Sequence, residues 1–233
     1  MAGVNDTGFE VDGSATLVSL FAAQVAVSPD AVAVTFEGVS LTYAEFDSRS
    51  NVVARALIAR GVGVESLVGL AVRRSLDLMV GLYGVVKAGA GYVPVDVDQP
   101  ADRVQYILET SGVGLVLTTS RDGFVSDDVS VLCVDEISGG SFSDAAVSDG
   151  DRIGVLRPGN VAYVLFTSGV DGSAEGGVGQ SWGDCESVGV DAGEVRAACA
   201  GCGGAEDAGD VRCVGVGVVL AVAGGCAVGG GEA

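Results

Sequence analysis

VVKAGAGYVPVDVDQPADRVQYILETSG, residues 85–112, carries the end of one helix, a strand and a complete second helix. The helical pattern running from Leu76 to Lys87 stops at Gly89, a residue suited to the left-handed turn that closes a helix. Tyr92-Val93-Pro94-Val95-Asp96 reads as a strand, and a helix is expected from about Ala101 to Thr110. Outward from this unit the alternation continues. Upstream, SLVGLAV (66–72) is a nearly continuous apolar run, as expected of a strand covered on both faces. Downstream, LVLTT (115–119), VSVLCVD (129–135) and VAYVLF (161–166) read as further strands, with a Ser-, Asp- and Gly-rich surface loop over 136–159. Strand and helix in turn predict an α/β fold with a largely parallel sheet.

Nearer the N-terminus, residues 1–15 read as a flexible leader. Leu17, Leu20, Phe21, Gln24 and Val25 lie at helical spacing, and Pro29 stops that helix. AVAVTF (31–36) and VSLTY (39–43) flank Glu37-Gly38, a two-residue hairpin signal. Thr42 and Glu45 form a capping-box pair that opens a helix with Phe46, Val53, Leu57 and Ile58 on its apolar side. Gly61 is placed to end it.

The chain of 233 residues has a formal charge of −19, one lysine (Lys87) and no histidine. That balance speaks against nucleic acid and anionic membrane surfaces as partners. The lack of histidine removes His-based triads and His metal ligands. The opening stretch has no apolar signal-peptide core, so the cytoplasm is the expected compartment. Composition changes after Gly169. Residues 170–233 hold five of the 6 cysteines and eighteen of the 38 glycines, with one Leu, one Trp and no Phe, Tyr, Ile or Lys. Little side-chain volume remains there to form a core, and a largely disordered tail is expected.

Three stretches together resemble the adenylation domains of nonribosomal peptide synthetases, within the wider superfamily of adenylate-forming (AMP-dependent) synthetases and ligases. LTYAEFDSRSNVVARALIARGV (41–62) is similar to the family's LTYxEL segment. Residues 85–112 resemble its KAGxAYVPIDPxxPxxRxxxxLxDS segment. NVAYVLFTSG (160–169) resembles the lead-in to its signature loop, continued in the family as STGxPKG. The likeness covers residues 16–169, the front of the large N-terminal subdomain, and its middle motif points to peptide synthetases rather than acyl-CoA ligases. It implies the reaction of an amino acid with ATP to aminoacyl-AMP and pyrophosphate. Magnesium would assist, and a neighbouring carrier domain would bear phosphopantetheine. It implies nucleotide contacts at Thr167, Ser168, Gly169, Gly172 and Gly176. Phosphate oxygens must be met by donors and cations. Yet Val170 and Asp171 stand where the pattern has Ser and Thr, Ala174 where it has Pro, and Glu175 where it has Lys. A carboxylate there repels triphosphate, so weak ATP binding and no catalysis are expected, and no residue of the chain is assigned a catalytic role.

The pattern fails all at once and does not return, as a change of reading frame would cause. Residues 170–176 can be coded GTCGACGGGTCGGCCGAAGGG. Read one base forward, this gives Ser-Thr-Gly-Arg-Pro-Lys-Gly, the missing half of the signature. The same step over residues 180–188 gives Ser-His-Gly-Ala-Ile-Val-Asn-Arg-Leu, and over 210–217 Thr-Phe-Asp-Val-Ser-Val-Trp-Glu, both similar to later family segments. One extra G beside the Gly169 codon suffices. On this reading the Cys199/Cys202 pair and the apolar run 213–231 are by-products rather than a metal or redox site or a membrane span. Lys87 and the trio Tyr92, Pro94 and Asp96 read as framework. The alternatives are a non-catalytic interaction module derived from the same domain, or another adenylate-forming ligase such as an acyl-CoA synthetase.

Overall fold

The computed structural model describes residues 14–137 and 140–168, together with strands at 174–180, 195–199, 212–213 and 226–229. Helix α1 (Leu17–Val27) starts at Thr16, whose Oγ1 accepts from the Ser19 amide at 3.1 Å while its own amide donates to Ser19 Oγ at 2.9 Å. Strands β1 (Val32–Phe36) and β2 (Val39–Thr42) form the expected hairpin. Glu37 and Gly38 have φ of 49° and 80°, the paired positive angles of a type I′ turn. Helix α2 (Tyr43–Ile58) opens with the expected capping box: the Glu45 amide donates to Thr42 Oγ1 and the Thr42 amide to Glu45 Oε2.

Strand β3 (Leu67–Leu70) leads into α3 (Leu76–Ala88), closed by Gly89 at φ 90°. Then follow β4 (Gly91–Pro94), α4 (Ala101–Ser111), β5 (Leu115–Thr118) and β6 (Ser130–Cys133), with a single 3-10 turn at Val134–Glu136. Strand β7 (Val161–Ser168) precedes β8 (Ala174–Gln180), β9 (Val195–Cys199), β10 (Arg212–Cys213) and β11 (Cys226–Gly229). One sheet has the order β6-β5-β3-β4-β7-β8, parallel throughout except for β8, which runs antiparallel to β7. The other, β11-β9-β10-β1-β2, is antiparallel. The α/β architecture with a largely parallel sheet is therefore as the sequence predicts. The expectations for the leader and for most of residues 170–233 fall outside the described residues.

Period-two alternation divides the strands of the parallel sheet between two cores. Val68, Leu70, Tyr92, Leu115 and Leu117 face α1, α2 and α3 on one side. Val93, Val95 and Val116 meet Val104, Ile107 and Leu108 of α4 on the other. On the first side Phe21 lies within 5.8 Å, centroid to centroid, of Tyr43, Phe46 and Tyr83, so one aromatic ring from α1 ties α1 to both α2 and α3. Offset and edge-on ring pairs of this kind add about 0.5–1.5 kcal/mol each beyond the area they bury. Gly84 permits α3 to approach α2 closely, since a Cβ there would sit 2.5 Å from Val53 Cγ1.

The acidic segment before β7 forms no helix or strand between 140 and 160, as expected, but it is more than a solvated loop. Asn51 Nδ2 donates to the Asp144 carbonyl at 2.9 Å, Arg55 reaches Asp151 and the Ala145 and Ala146 carbonyls, and Arg152 Nε donates to the Lys87 carbonyl at 2.7 Å. Two arginines convert a run of aspartates into a strap across α2 and α3. These partners lie about ninety residues away from Asn51 and Arg55 in the chain, so no local pattern announces them.

Candidate nucleotide-binding edge

In an open parallel sheet, ligands bind beyond the carboxyl ends of the strands, where loops diverge to form a crevice. Here β3, β4, β5, β6 and β7 all end on that side. Strand β7 is positioned by its parallel pairing with β4, where Tyr92 lies opposite Tyr163 and the two rings stack at 5.7 Å. Thr167 and Ser168 are the last two residues of β7, rather than the first residues of a loop, and lie opposite Glu175 and Ala174 of β8. Gly176 lies opposite Phe166. Strands β7 and β8 run antiparallel, and the expected contact residues Gly169 and Gly172 lie between them, outside the described residues. The structure brings Thr167, Ser168 and Gly176 to one hairpin at the carboxyl edge of the sheet.

That same edge carries a charge cluster that the sequence reading did not single out. Arg73, just past β3, places Nη1 3.2 Å from Asp122 Oδ1 and Nε 3.2 Å from Asp98 Oδ2. Its backbone amide also donates to Asp122 Oδ2. Thr119 Oγ1 donates to Asp122 Oδ2 at 2.6 Å, and the Ser120 amide donates to Asp135 Oδ1 at 2.9 Å. The ends of β3, β4, β5 and β6 are thereby joined. Hydrogen bonds donated to Asp98 and Asp122 hold the Arg73 guanidinium above its ordinary pKa, and the same pairing lowers that of Asp98. Arg73 is committed to two carboxylates, so its charge is spent within the protein. The signal available in the sequence was positional: each of these charged residues stands one to five places after an apolar strand run.

Lys87, read from the sequence as framework, spans two helices: its Nζ reaches from α3 into α2, donating to Asp47 Oδ1 at 2.7 Å, Ser50 Oγ at 2.7 Å and Asn51 Oδ1 at 2.8 Å. Burial pushes its pKa down to about 8, against the raising influence of the Asp47 carboxylate. Tyr92 is buried, Pro94 closes β4, and Asp96 Oδ1 accepts from the Asp98 amide.

Among the described residues no helix is long and apolar enough to cross a membrane, and no group of three or more His, Cys, Asp or Glu side chains is arranged to hold a metal ion.

Comparison with known proteins agrees with this geometry. The sequence pattern of the family "AMP-binding enzyme" matches residues 21–176, and the chain belongs to that family. It is 38% identical over 176 residues to tyrocidine synthase 3 of Brevibacillus parabrevis, covering 76% of this chain and 3% of that protein. It is 36% identical over 170 residues to zwittermicin A synthase ZmaJ of Bacillus cereus, covering 70% of this chain and 30% of the relative. Among solved structures, the nonribosomal peptide synthetase FmoA3 (S1046A) superposes with a TM-score of 0.70 at 32% identity, over 79% of this chain and 19% of that one. The Klebsiella oxytoca NpsA N-terminal subdomain shares the fold at a TM-score of 0.65 and 19% identity. The chain thus spans less than a third of the length of these curated relatives. The resemblance to the front of a peptide-synthetase adenylation domain is borne out.

Proposed function

We propose that the chain carries the front of an amino-acid-activating adenylation domain. In that reaction a carboxylate oxygen of the amino acid attacks the α-phosphorus of ATP. Pyrophosphate leaves with the bonding electrons, and aminoacyl-AMP remains. The observation that carries this reading is the placement of β7 beside β4, which brings Thr167 and Ser168 to the carboxyl edge of the parallel sheet where β7 ends. Magnesium enters with the triphosphate, and a carrier domain with its phosphopantetheine arm receives the product. The amino-acid pocket and the small C-terminal subdomain belong to parts of the family's domain beyond the matched residues.

As written, the chain does not catalyse this reaction. Glu175, opposite Thr167 in the hairpin, replaces the cation of the signature with an anion. Residues 170–233 are read one base out of frame, because Val170, Asp171, Ala174 and Glu175 depart from the signature together. The genomic codons for residues 160–180 test it directly. Shifted forward by one base after Gly169, they must spell Ser-Thr-Gly-x-Pro-Lys-Gly; any other product of that shift overturns the frame explanation. Purified 233-residue chain should show no amino-acid-dependent exchange between ATP and pyrophosphate, and reproducible exchange would refute its inactivity.

A further inference from the structure

Lys87 is the only lysine, every other cationic side chain being arginine. It is 3% exposed. Its Nζ is held by the Asp47 carbonyl and carboxylate, Ser50 Oγ and Asn51 Oδ1, and it lies 5.0 Å from the centre of the Phe21 ring. Arginine stays protonated under all ordinary conditions and is a poor acyl acceptor, whereas lysine readily supplies a neutral amine. The described surface therefore offers no ε-amine to an electrophile. We propose that Lys87 is a concealed acylation site, which an activated acyl group converts to an amide only when α2 and α3 separate.

An acyl adenylate released by an intact relative of this domain is the donor, since this chain makes none; that choice of donor rests on the function proposed above, and the concealment does not. In the step itself, the neutral Nζ attacks the acyl carbonyl carbon. The bond from that carbon to the phosphate oxygen breaks, AMP leaves with the electron pair, and the displaced proton passes to solvent. Concealment, rather than lack of reactivity, protects the amine. The lowering of its pKa belongs to the buried amine and is lost when the helices separate, so the opened side chain reacts as an ordinary lysine. Once acylated, the side chain has lost the charge that pairs with Asp47 and gained bulk that its cage cannot take, so the modification marks a chain that has opened and opposes its refolding.

The test uses the full chain and preformed acetyl adenylate, so an inability of the chain to make adenylates does not affect the result. Native chain and chain in concentrated urea are treated in parallel, then with hydroxylamine to strip ester and thioester adducts, and mapped by peptide mass spectrometry. In urea Lys87 should acylate measurably, though more slowly than the N-terminal α-amine near neutral pH, because its ordinary pKa keeps most of it protonated. In the native chain Lys87 should react at least ~100-fold more slowly than in urea, because reaction requires a rare opening. Asn51→Ala, which loosens the cage while keeping Asp47, should raise the native rate, and Lys87→Arg should abolish the second adduct. Native acylation of Lys87 within a few-fold of its own rate in urea, or no acylation in urea, would overturn the proposal.

Discussion

Lys87 Nζ lies 2.7 Å from Asp47 Oδ1, an ion pair across the α2–α3 contact in which the lysine side chain is 4% exposed. Removing one partner of a buried pair strands the other. Asp47→Ala should therefore cost about 3–5 kcal/mol, read as a lowered urea midpoint. Lys87→Met removes the buried charge along with its partner's attraction and should cost less. If Asp47→Ala proves the milder of the two, the pair is not what holds the helices together.

The same lysine makes stability depend on pH at the alkaline end. Its native pKa of about 8 lies below the ordinary 10.5, so between those values the unfolded chain holds a proton that the native chain has released. Stability then rises with pH across that window on this group's account, and the effect is complete above it. The stability of wild type minus that of Lys87→Met should grow between pH 8 and 10.5. With one lysine in the chain, a single ¹³Cε resonance reports the titration without assignment.

Asp151 gives the opposite sign. Its hydrogen bond from Arg55, supported by the Ser148 amide and hydroxyl, holds its carboxyl well below the ordinary 3.8. The strap contact is fully present above that value and is lost as pH falls toward the depressed native one. Asp151→Asn should be less stable than wild type at neutral pH, and the difference should shrink as the solution is acidified below pH 3.8. Thermal melts of the two proteins across an acid series decide it.

Gly84→Ala sets two effects against each other. Alanine favours a helix over glycine by about 1 kcal/mol. The added methyl, however, would lie 2.7 Å from Val53 Cβ, an atom fixed close to its backbone. Overpacking of this kind typically costs about 1–3 kcal/mol. A net loss of up to about 2 kcal/mol in chemical denaturation is expected, with the excess recovered in Gly84→Ala/Val53→Ala.

Arg73→Gln should leave the 4%-exposed Asp122 side chain without its cation while sparing the strands themselves. The melting temperature should fall further than for Arg121→Gln, a residue that follows β5 beside Asp122 and takes no part in the cluster. Equal melting temperatures would show that the cluster holds the edge together only weakly.

Much of the fold was legible because it is written locally. Glu37-Gly38, Thr42 with Glu45, and Gly89 each fix a turn or cap through neighbours within a few residues, and each is found where it was expected. The strand ends were less legible. Phe166 looked like the last residue of β7, but pairing with β8 carries the strand on to Ser168, and a partner that arrives later in the chain leaves no trace in the strand's own residues. The Arg73 cluster and the strap were hidden for the same reason: the ion-pair partners of Arg73 and Arg55 stand 25 to 96 residues away. Thr167 and Ser168 were found through family resemblance rather than through any spacing of donors.

The order of strands in the parallel sheet bears on how such a chain is made. Strand β3 lies between β4 and β5, its immediate successors, so these three strands pair with one another within Leu67–Thr118, and β6 and β7 join the outer edges of that unit from later in the chain. On the ribosome this unit is complete before β7 is synthesised, and domains generally fold from the N-terminal side as they emerge. Residues after Gly169 therefore emerge once β3, β4, β5, β6 and β7 are all available to pair, and the contacts among those five strands do not wait on them.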